Sequence, residues 1–252
     1  MDLGLAGKKA VVTGGSRGIG RAIAEELARE GASVAICART AAGVDEAVKS
    51  LEGHGVQVKG SAVDVGDGDA LKAFVTEAAE ALGGLDILVS NPSGGNGVDE
   101  ASWRGNFEVD LMGAVRGVNA AVPLLSKSDA ASVLVISTTA ALETFMGPTS
   151  YNALKAALIA HMNGLSQALG PKGIRVNAIS PGPIYFEGGA WAQIEKTMKP
   201  MYDEAVAGHA IGRMGTPEEV ARAAAFLVSP AASLITGVNL VADGGFTKRV
   251  NF

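Results

Sequence analysis

Cysteine is nearly absent from this sequence. Cys37 is the only one in 252 residues, which excludes an intramolecular disulfide and a cysteine-rich zinc site. It sits in the apolar run Ser33-Val-Ala-Ile-Cys-Ala38, where a buried small hydrophobe is expected rather than a nucleophile. Histidine is scarce as well: His54, His161 and His209 are scattered and no ligand-spaced acid/His cluster accompanies them, so no metal site is expected. No run of 18 apolar residues occurs, and the start Met-Asp-Leu-Gly-Leu has no basic segment followed by an apolar one. Neither a membrane span nor a secretory leader is therefore predicted, and a cytoplasmic location is the expectation. The formal net charge of -5 comes without any basic block, which removes the electrostatic footprint of a nucleic-acid or anionic-lipid binder. The expected partner is a small molecule.

What is present is apolar and rich in glycine. With 48% hydrophobic residues, 19% charged residues and 34 glycines, the chain can bury a sizeable core and make many tight turns. Short apolar runs alternate with segments of helical periodicity, beginning with Ala10–Thr13, the amphipathic stretch Gly18–Glu30, and Val34–Cys37. Further runs lie near Val56–Ala62, Leu85–Val89, Val133–Ser137, Val176–Ile179 and Asn239–Val241. Near-continuous apolar strands separated by helices imply a parallel sheet covered on both faces. The prediction is α/β: one doubly wound Rossmann-type domain over residues 1–252, with a central seven-stranded parallel sheet and no internal repeat or linker. The regular alternation breaks over Pro181 to Gly212, a Gly/Pro-punctuated stretch carrying Trp191, Met198, Met201 and Tyr202. Placed beyond the carboxyl end of a strand, where open α/β sheets bind ligands, the part at about 183–212 reads as a substrate lid; the plainer alternative is a surface excursion.

Thr13-Gly-Gly-Ser-Arg-Gly-Ile-Gly20 follows the first strand directly and opens the first helix. That context suits a dinucleotide phosphate loop, in which glycines let backbone approach a pyrophosphate and the helix start favours its charge. Gly14, Ser16, Arg17, Gly18, Ile19 and Gly20 are the candidate cofactor contacts. At the end of the second strand, where an acidic residue would select NAD, the chain has Ala38-Arg39. Arg39 and Arg17 can instead give forked, charge-assisted hydrogen bonds to a 2′-phosphate, so NADP(H) is the expected cofactor; a solvated surface Arg39 is the alternative.

Tyr151-Asn-Ala-Leu-Lys155 opens a helical stretch running from Thr149 to Leu169, and i, i+4 spacing puts both side chains on one face. A tyrosine titrating near 10 is a poor proton shuttle at neutral pH. An ammonium and an oxidised nicotinamide close by would both favour the phenolate and lower that value. The pair lies 13 residues after Thr138, a strand-end hydroxyl in Val135-Ile-Ser-Thr-Thr139.

Taken together, these motifs resemble the short-chain dehydrogenase/reductase family, whose glycine fingerprint is Thr-Gly-x-x-x-Gly-x-Gly, and the resemblance runs from Leu5 to Gly245. It is nearest to the β-ketoacyl-ACP-reductase-like branch, which supports a reaction type and not a metabolite. The resemblance implies reduction of a carbonyl to a secondary alcohol with NADPH. Tyr151 would act as general acid/base, Lys155 would hold the cofactor ribose and tune Tyr151, and Thr138 would stand where the family usually has serine; Ser137 is its neighbouring competitor. The alternatives are oxidation of a hydrophobic secondary alcohol with NAD(P)+, the substrate lying under Trp191, Met198 and Tyr202 of the lid, and a weakly catalytic NADP(H)-binding protein. The resemblance further assigns Asp64 and Val65 to the adenine, although Asp64 equally suits a helix cap, and Asn91, Pro181, Gly182 and Ile184 to the cofactor cleft. Asn177 is similar to a residue that steadies the active-site region. A homotetramer, or a dimer, is implied by the family alone. Two departures stand out. Asp110 occupies the position of a family asparagine linked to a helix irregularity and a proton relay; the expectation is that the relay is retained with Asp110 in the catalytic set, the alternative being that its carboxylate pairs with Lys155 and draws it away from Tyr151. Val89-Ser-Asn-Pro-Ser-Gly94 replaces the usual Asn-Asn-Ala-Gly, so the turn must be rebuilt, with Gly94 and Gly95 available for it.

Overall fold

The computed structural model describes residues 1–144 and 147–250. Seven strands form one parallel sheet in the order β3-β2-β1-β4-β5-β6-β7. They are β1 (Lys9–Thr13), β2 (Ser33–Ala38), β3 (Val58–Ala62), β4 (Ile87–Ser90), β5 (Ser132–Ile136), β6 (Arg175–Pro181) and β7 (Asn239–Ala242). The fold class expected from the alternation is the one observed, with β3 starting two residues later than its apolar run.

Residue type along each strand explains the layering. In β1, Ala10 and Val12 face one core while Val11 faces the other; Val34 and Ile36 of β2 oppose Ala35 and Cys37, and Leu134 and Ile136 of β5 oppose Val133 and Val135. Both faces must be apolar because both are covered. The first core is closed by α1 (Gly18–Arg29), α2 (Ala41–Glu52) and α9 (Pro217–Val228), the second by α3 (Gly68–Leu82), α5 (Gly113–Leu125) and α6 (Ser150–Leu169). Cys37 is buried, and burial pushes its thiol up to about 12. The edge strands β3 and β7 are the ones whose residues stay half-exposed, as a sheet flanked by solvent requires.

Two features bear on the site. Between β1 and β4 the strand order reverses, which opens a crevice at the carboxyl ends of the strands. Beyond β6 the chain leaves the sheet to form α7 (Ala190–Thr197) and α8 (Lys199–Gly208) before returning to α9. Trp191, Ile194, Ala205 and Met214 give this excursion a small core of its own, with Met201 and Tyr202 packed against it. Its neck is closed by a bridge between Ile184 and Gly215, where Tyr185 N–H donates to the Gly215 carbonyl at 2.9 Å and Gly215 N–H to that of Pro183 at 3.1 Å. Among the described residues, no helix is long and apolar enough to cross a membrane.

Candidate active site

Every element that the crevice needs ends at it. Gly14 and Gly18, with φ of 66° and 55°, turn the chain from β1 into α1 in a conformation that side chains with a Cβ resist. A Cβ on Gly20 would run into the Gly14 carbonyl oxygen and the Asn91 amide nitrogen, so helix and strand approach as closely as backbone allows. α1 starts without a side-chain cap and without an acidic residue in its first turn, whereas α3 is capped by Asp67. Its first N–H groups therefore remain available to an anion. Asn91 ties the loop to β4: its Nδ2 donates to the Gly14 carbonyl at 3.1 Å, and its N–H to Thr13 Oγ1 at 3.3 Å.

The resulting cleft has a volume of about 660 Å³, within the size range of small-ligand sites. It is lined by Gly14, Ser16, Arg17, Gly18 and Ile19 at the glycine turn, by Arg39, Asp64 and Val65 on one side, and by Asn91, Thr138, Tyr151, Lys155, Pro181, Gly182 and Ile184 on the other. Arg17 and Arg39 are exposed and make no ion pair among the described residues. Asp64 does not cap the following helix. Asp67 does so, accepting from Asp69 and Ala70, while Asp64 Oδ1 accepts from Gly66 N–H in a local turn at the cleft edge.

Two expected site residues lie behind the cleft wall and not on it. Gly20 is buried against Gly14 and Asn91, so its part is to let the loop pack rather than to touch a ligand. Asp110 is 1% exposed and reaches the cleft only through Lys155, its Oδ1 3.2 Å from the ammonium. That oxygen accepts no aligned hydrogen bond; the contact is an ion pair. Its other oxygen, Oδ2, accepts the Gly94 N–H at 3.0 Å. Asp110 sits in a π-helical turn, Phe107–Met112, joining α4 (Glu100–Asn106) to α5, which is the helix irregularity the family resemblance implied.

Lys155 is 2% exposed. Besides Asp110, its ammonium donates to the Pro92 and Ile136 carbonyls, each at 3.0 Å, and lies 5.8 Å from the centroid of the Tyr151 ring. Burial lowers its pKa, and Asp110 opposes that shift. For Tyr151 the expected lowering is not found. Burial first, and then the Asp110 charge, push the phenol up to about 12, against a smaller lowering by the Thr138 hydroxyl within hydrogen-bonding reach. Both raising causes act in the same direction, so the phenol is neutral at physiological pH. Of the two competing hydroxyls, Ser137 donates to the Lys155 carbonyl at 3.0 Å, which leaves Thr138 facing Tyr151. Thr138 also caps a short turn by accepting from Ala140 N–H at 3.2 Å, so that alternative holds alongside the other. Asn177 faces away from the cleft, joining β6 to the turn before β7 through the Ile235 carbonyl and Val238 N–H.

Other residues at the cleft carried no motif. Phe186 lies over the glycine turn, with its ring Cζ 2.6 Å from where a Gly18 Cβ would be. Trp191 and Ile194 line the cleft, whereas Met198 points to solvent and Tyr202 packs edge-on to Tyr185. Of the three apolar groups expected over a substrate, Trp191 alone is in place.

Comparison with known proteins agrees with this geometry. A family profile described as enoyl-(acyl carrier protein) reductase matches residues 14–247. Isoepoxydon dehydrogenase of Penicillium expansum is 40% identical over 257 residues, spanning 100% of this chain and 99% of that protein. L-sorbose reductase from Gluconobacter frateurii, solved with NADPH and L-sorbose, superposes with a TM-score of 0.91 at 33% identity, covering 99% of this chain and 100% of that one. A 7α-hydroxysteroid dehydrogenase solved with NADH and 7-oxo glycochenodeoxycholic acid gives 0.90 at 32% identity, covering 99% and 98%.

Proposed function

The chain belongs to the short-chain dehydrogenase/reductase family, and from that premise we propose that it is an NADP(H)-dependent reductase converting a ketone or 3-oxoacyl carbonyl to a secondary alcohol. Oxidoreduction between carbonyl and alcohol comes with membership; the cofactor preference and the direction are this proposal. The proton-transfer role rests on one arrangement, the buried Tyr151 phenol at the cleft beside the Thr138 hydroxyl, with burial and Asp110 favouring its neutral form. A neutral phenol is the form that can give a proton to a developing alkoxide, whereas alcohol oxidation requires the phenolate.

The cleft suits a dinucleotide. The glycine turn has no room for a Cβ at Gly20, and the uncapped start of α1 offers N–H groups to a pyrophosphate. Ser16 and Ile19 stand at that start, Asp64 and Val65 at the adenine side, and Asn91, Pro181, Gly182 and Ile184 at the nicotinamide side. Arg17 and Arg39 supply two uncommitted guanidinium groups where a 2′-phosphate would lie. Relatives of this fold take either cofactor, as the NADPH and NADH complexes show for their own proteins, so these two side chains carry the preference. NADPH held by these residues would supply the hydride. Thr138 and Tyr151 hold the carbonyl oxygen, Tyr151 gives it a proton, and Lys155, whose ammonium form Asp110 favours against burial, would hold the ribose and steady the phenolate left behind. Residues 183–212 act as the lid over the substrate end, with Trp191 its apolar wall.

The test is loss of NADPH fluorescence across a panel of ketones and 3-oxoacyl esters. Tyr151→Phe is expected to lower kcat by about 10²–10⁴-fold while NADPH affinity stays within a few-fold. Wild-type turnover in that variant would refute the proton role. NADPH binding without turnover on any member would favour a binding protein.

A further inference from the structure

The loop after β4 is held in place far more firmly than its glycines alone would allow. Between Ser93 and Gly97, three backbone groups are tied by buried polar side chains. Gly94 N–H donates to Asp110 Oδ2 at 3.0 Å, the Gly95 carbonyl accepts from Asn106 Nδ2 at 2.7 Å, and the Gly97 carbonyl accepts from Ser150 Oγ at 2.9 Å. The exposures of Asp110, Asn106 and Ser150 are 1%, 2% and 0%. Such groups are costly to bury unless their partners are fixed. Gly94 and Gly97 themselves can carry no side chain, since a Cβ on the first would meet Asn106 and on the second Ser102. Ser93 and Asn96 are therefore the two side chains with polar groups that this pinned loop presents, and both line the cleft. Neither has a hydrogen-bond partner among the described residues, although the loop is anchored to Ser150, the residue next to Tyr151.

Resting on the reductase reading above, we infer that Ser93 and Asn96 select the substrate by hydrogen-bonding a second oxygen on it, so that the substrate is a hydroxylated carbonyl compound rather than a plain hydrocarbon ketone. Thr138 and Tyr151 are committed to the reacting oxygen, and Trp191 and Ile194 form an apolar wall elsewhere in the same cleft. A substrate that fits these walls carries its reacting carbonyl, an apolar face, and at least one further hydroxyl within reach of an amide and a hydroxyl. A hydroxyl missing from the substrate leaves the site's donors and acceptors without partners, which is the physical origin of selectivity of this kind.

The experiment compares kcat/KM with NADPH for cyclohexanone and for its 2-, 3- and 4-hydroxy derivatives, in the wild type, Asn96→Ala and Ser93→Ala. At least one hydroxy isomer is expected to exceed cyclohexanone about tenfold in the wild type. That ratio is expected to fall about five- to tenfold in Asn96→Ala and to fall, by a smaller factor, in Ser93→Ala, each loss corresponding to one neutral hydrogen bond. A wild type that turns over the panel without preferring any hydroxy isomer overturns this inference and leaves the reductase reading standing; so does a ratio unchanged in both variants. No turnover with NADPH or NADH, either of any member here or of the ketones and 3-oxoacyl esters above, removes the reductase reading and this inference with it.

Discussion

Asp110 sets the charge at the centre of the site without touching the cleft. Its carboxylate, 3.2 Å from the Lys155 ammonium, raises the pKa of Lys155 against burial and also raises that of Tyr151. Asp110→Asn removes a negative charge while keeping the shape and an oxygen for Gly94. Both neighbouring pKa values must then fall. The alkaline limb of kcat/KM for reduction, which reports the free enzyme, is expected to move to lower pH, and alcohol oxidation should reach its plateau at lower pH for the same reason. An unmoved profile would show that the carboxylate does not act on Tyr151; a large rise in kcat at pH 7 would show that it impedes turnover. Asp110→Ala leaves a buried ammonium without its counter-charge, at about 3–5 kcal/mol, and is expected to lower the urea midpoint accordingly. At the far end of the cleft, Arg39→Asp replaces an uncommitted cation by a carboxylate. The NADPH/NADH ratio of kcat/KM is expected to fall at least tenfold, since each hydrogen bond to a charged group is worth about 1.5–3 kcal/mol; an unchanged ratio would refute the NADP(H) assignment. At this scale the sequence was legible for residue identity and opaque for environment. Tyr151, Lys155 and Thr138 stand in the pattern, but the upward shift of the phenol comes from its burial and from the Asp110 charge, and the ammonium is held by two backbone carbonyls, Pro92 and Ile136. Carbonyls carry no sequence signal.

Among the elements, the glycine turn and α5 show the same substitution acting with opposite sign. Gly20→Ala would force a methyl group into the Gly14 carbonyl and the Asn91 amide, a clash of backbone and a bonded side chain that cannot swing away. It is expected to destabilise by about 1–3 kcal/mol and to weaken NADPH binding at least tenfold. In Gly117→Ala the nearest atom, Leu71 Cδ2, is 3.8 Å from the new Cβ. That distance is ordinary contact, so inside α5 the change is expected to stabilise by about 0.5–1 kcal/mol. Urea unfolding of the two variants checks both signs; destabilisation by Gly117→Ala would mean that packing around α5 is tighter than the structure has it. The strands were readable because period-2 alternation between two apolar cores leaves a continuous apolar run, as in Val133–Ile136. The π-helical turn of Phe107–Met112 was not readable from periodicity, since one extra residue in a helical turn leaves the apolar pattern almost intact. Nor were the anchors of the 93–97 loop, because Asn106 and Ser150 look like ordinary helix polar residues until the fold brings them to Gly95 and Gly97.

For the whole molecule, the cleft joins the β1–α1 turn and the ends of β4, β5 and β6, strands already hydrogen-bonded in one sheet, to the excursion bearing Trp191. A ligand spanning them should stiffen the entire domain. NADPH at a hundred times its Kd is expected to add about 2.7 kcal/mol. In a domain of this length that corresponds to about 5–10 °C in Tm, and NADH at the same concentration should give a smaller rise. Equal shifts for the two cofactors in a thermal melt would count against the roles given to Arg17 and Arg39.

The Ile184–Gly215 bridge, finally, bears on how such a protein can change its diet. Everything between those two residues begins and ends at that one point, between β6 and α9, and carries a small core of its own, against which Phe246 also packs. Lengthening or replacing a segment whose ends already meet alters loop-closure entropy only logarithmically. The substrate end can therefore be exchanged as a cassette, cut at the bridge and grafted from a relative, while the glycine turn, Tyr151 and Lys155 stay as they are. Evolution and the protein engineer are offered the same splice site.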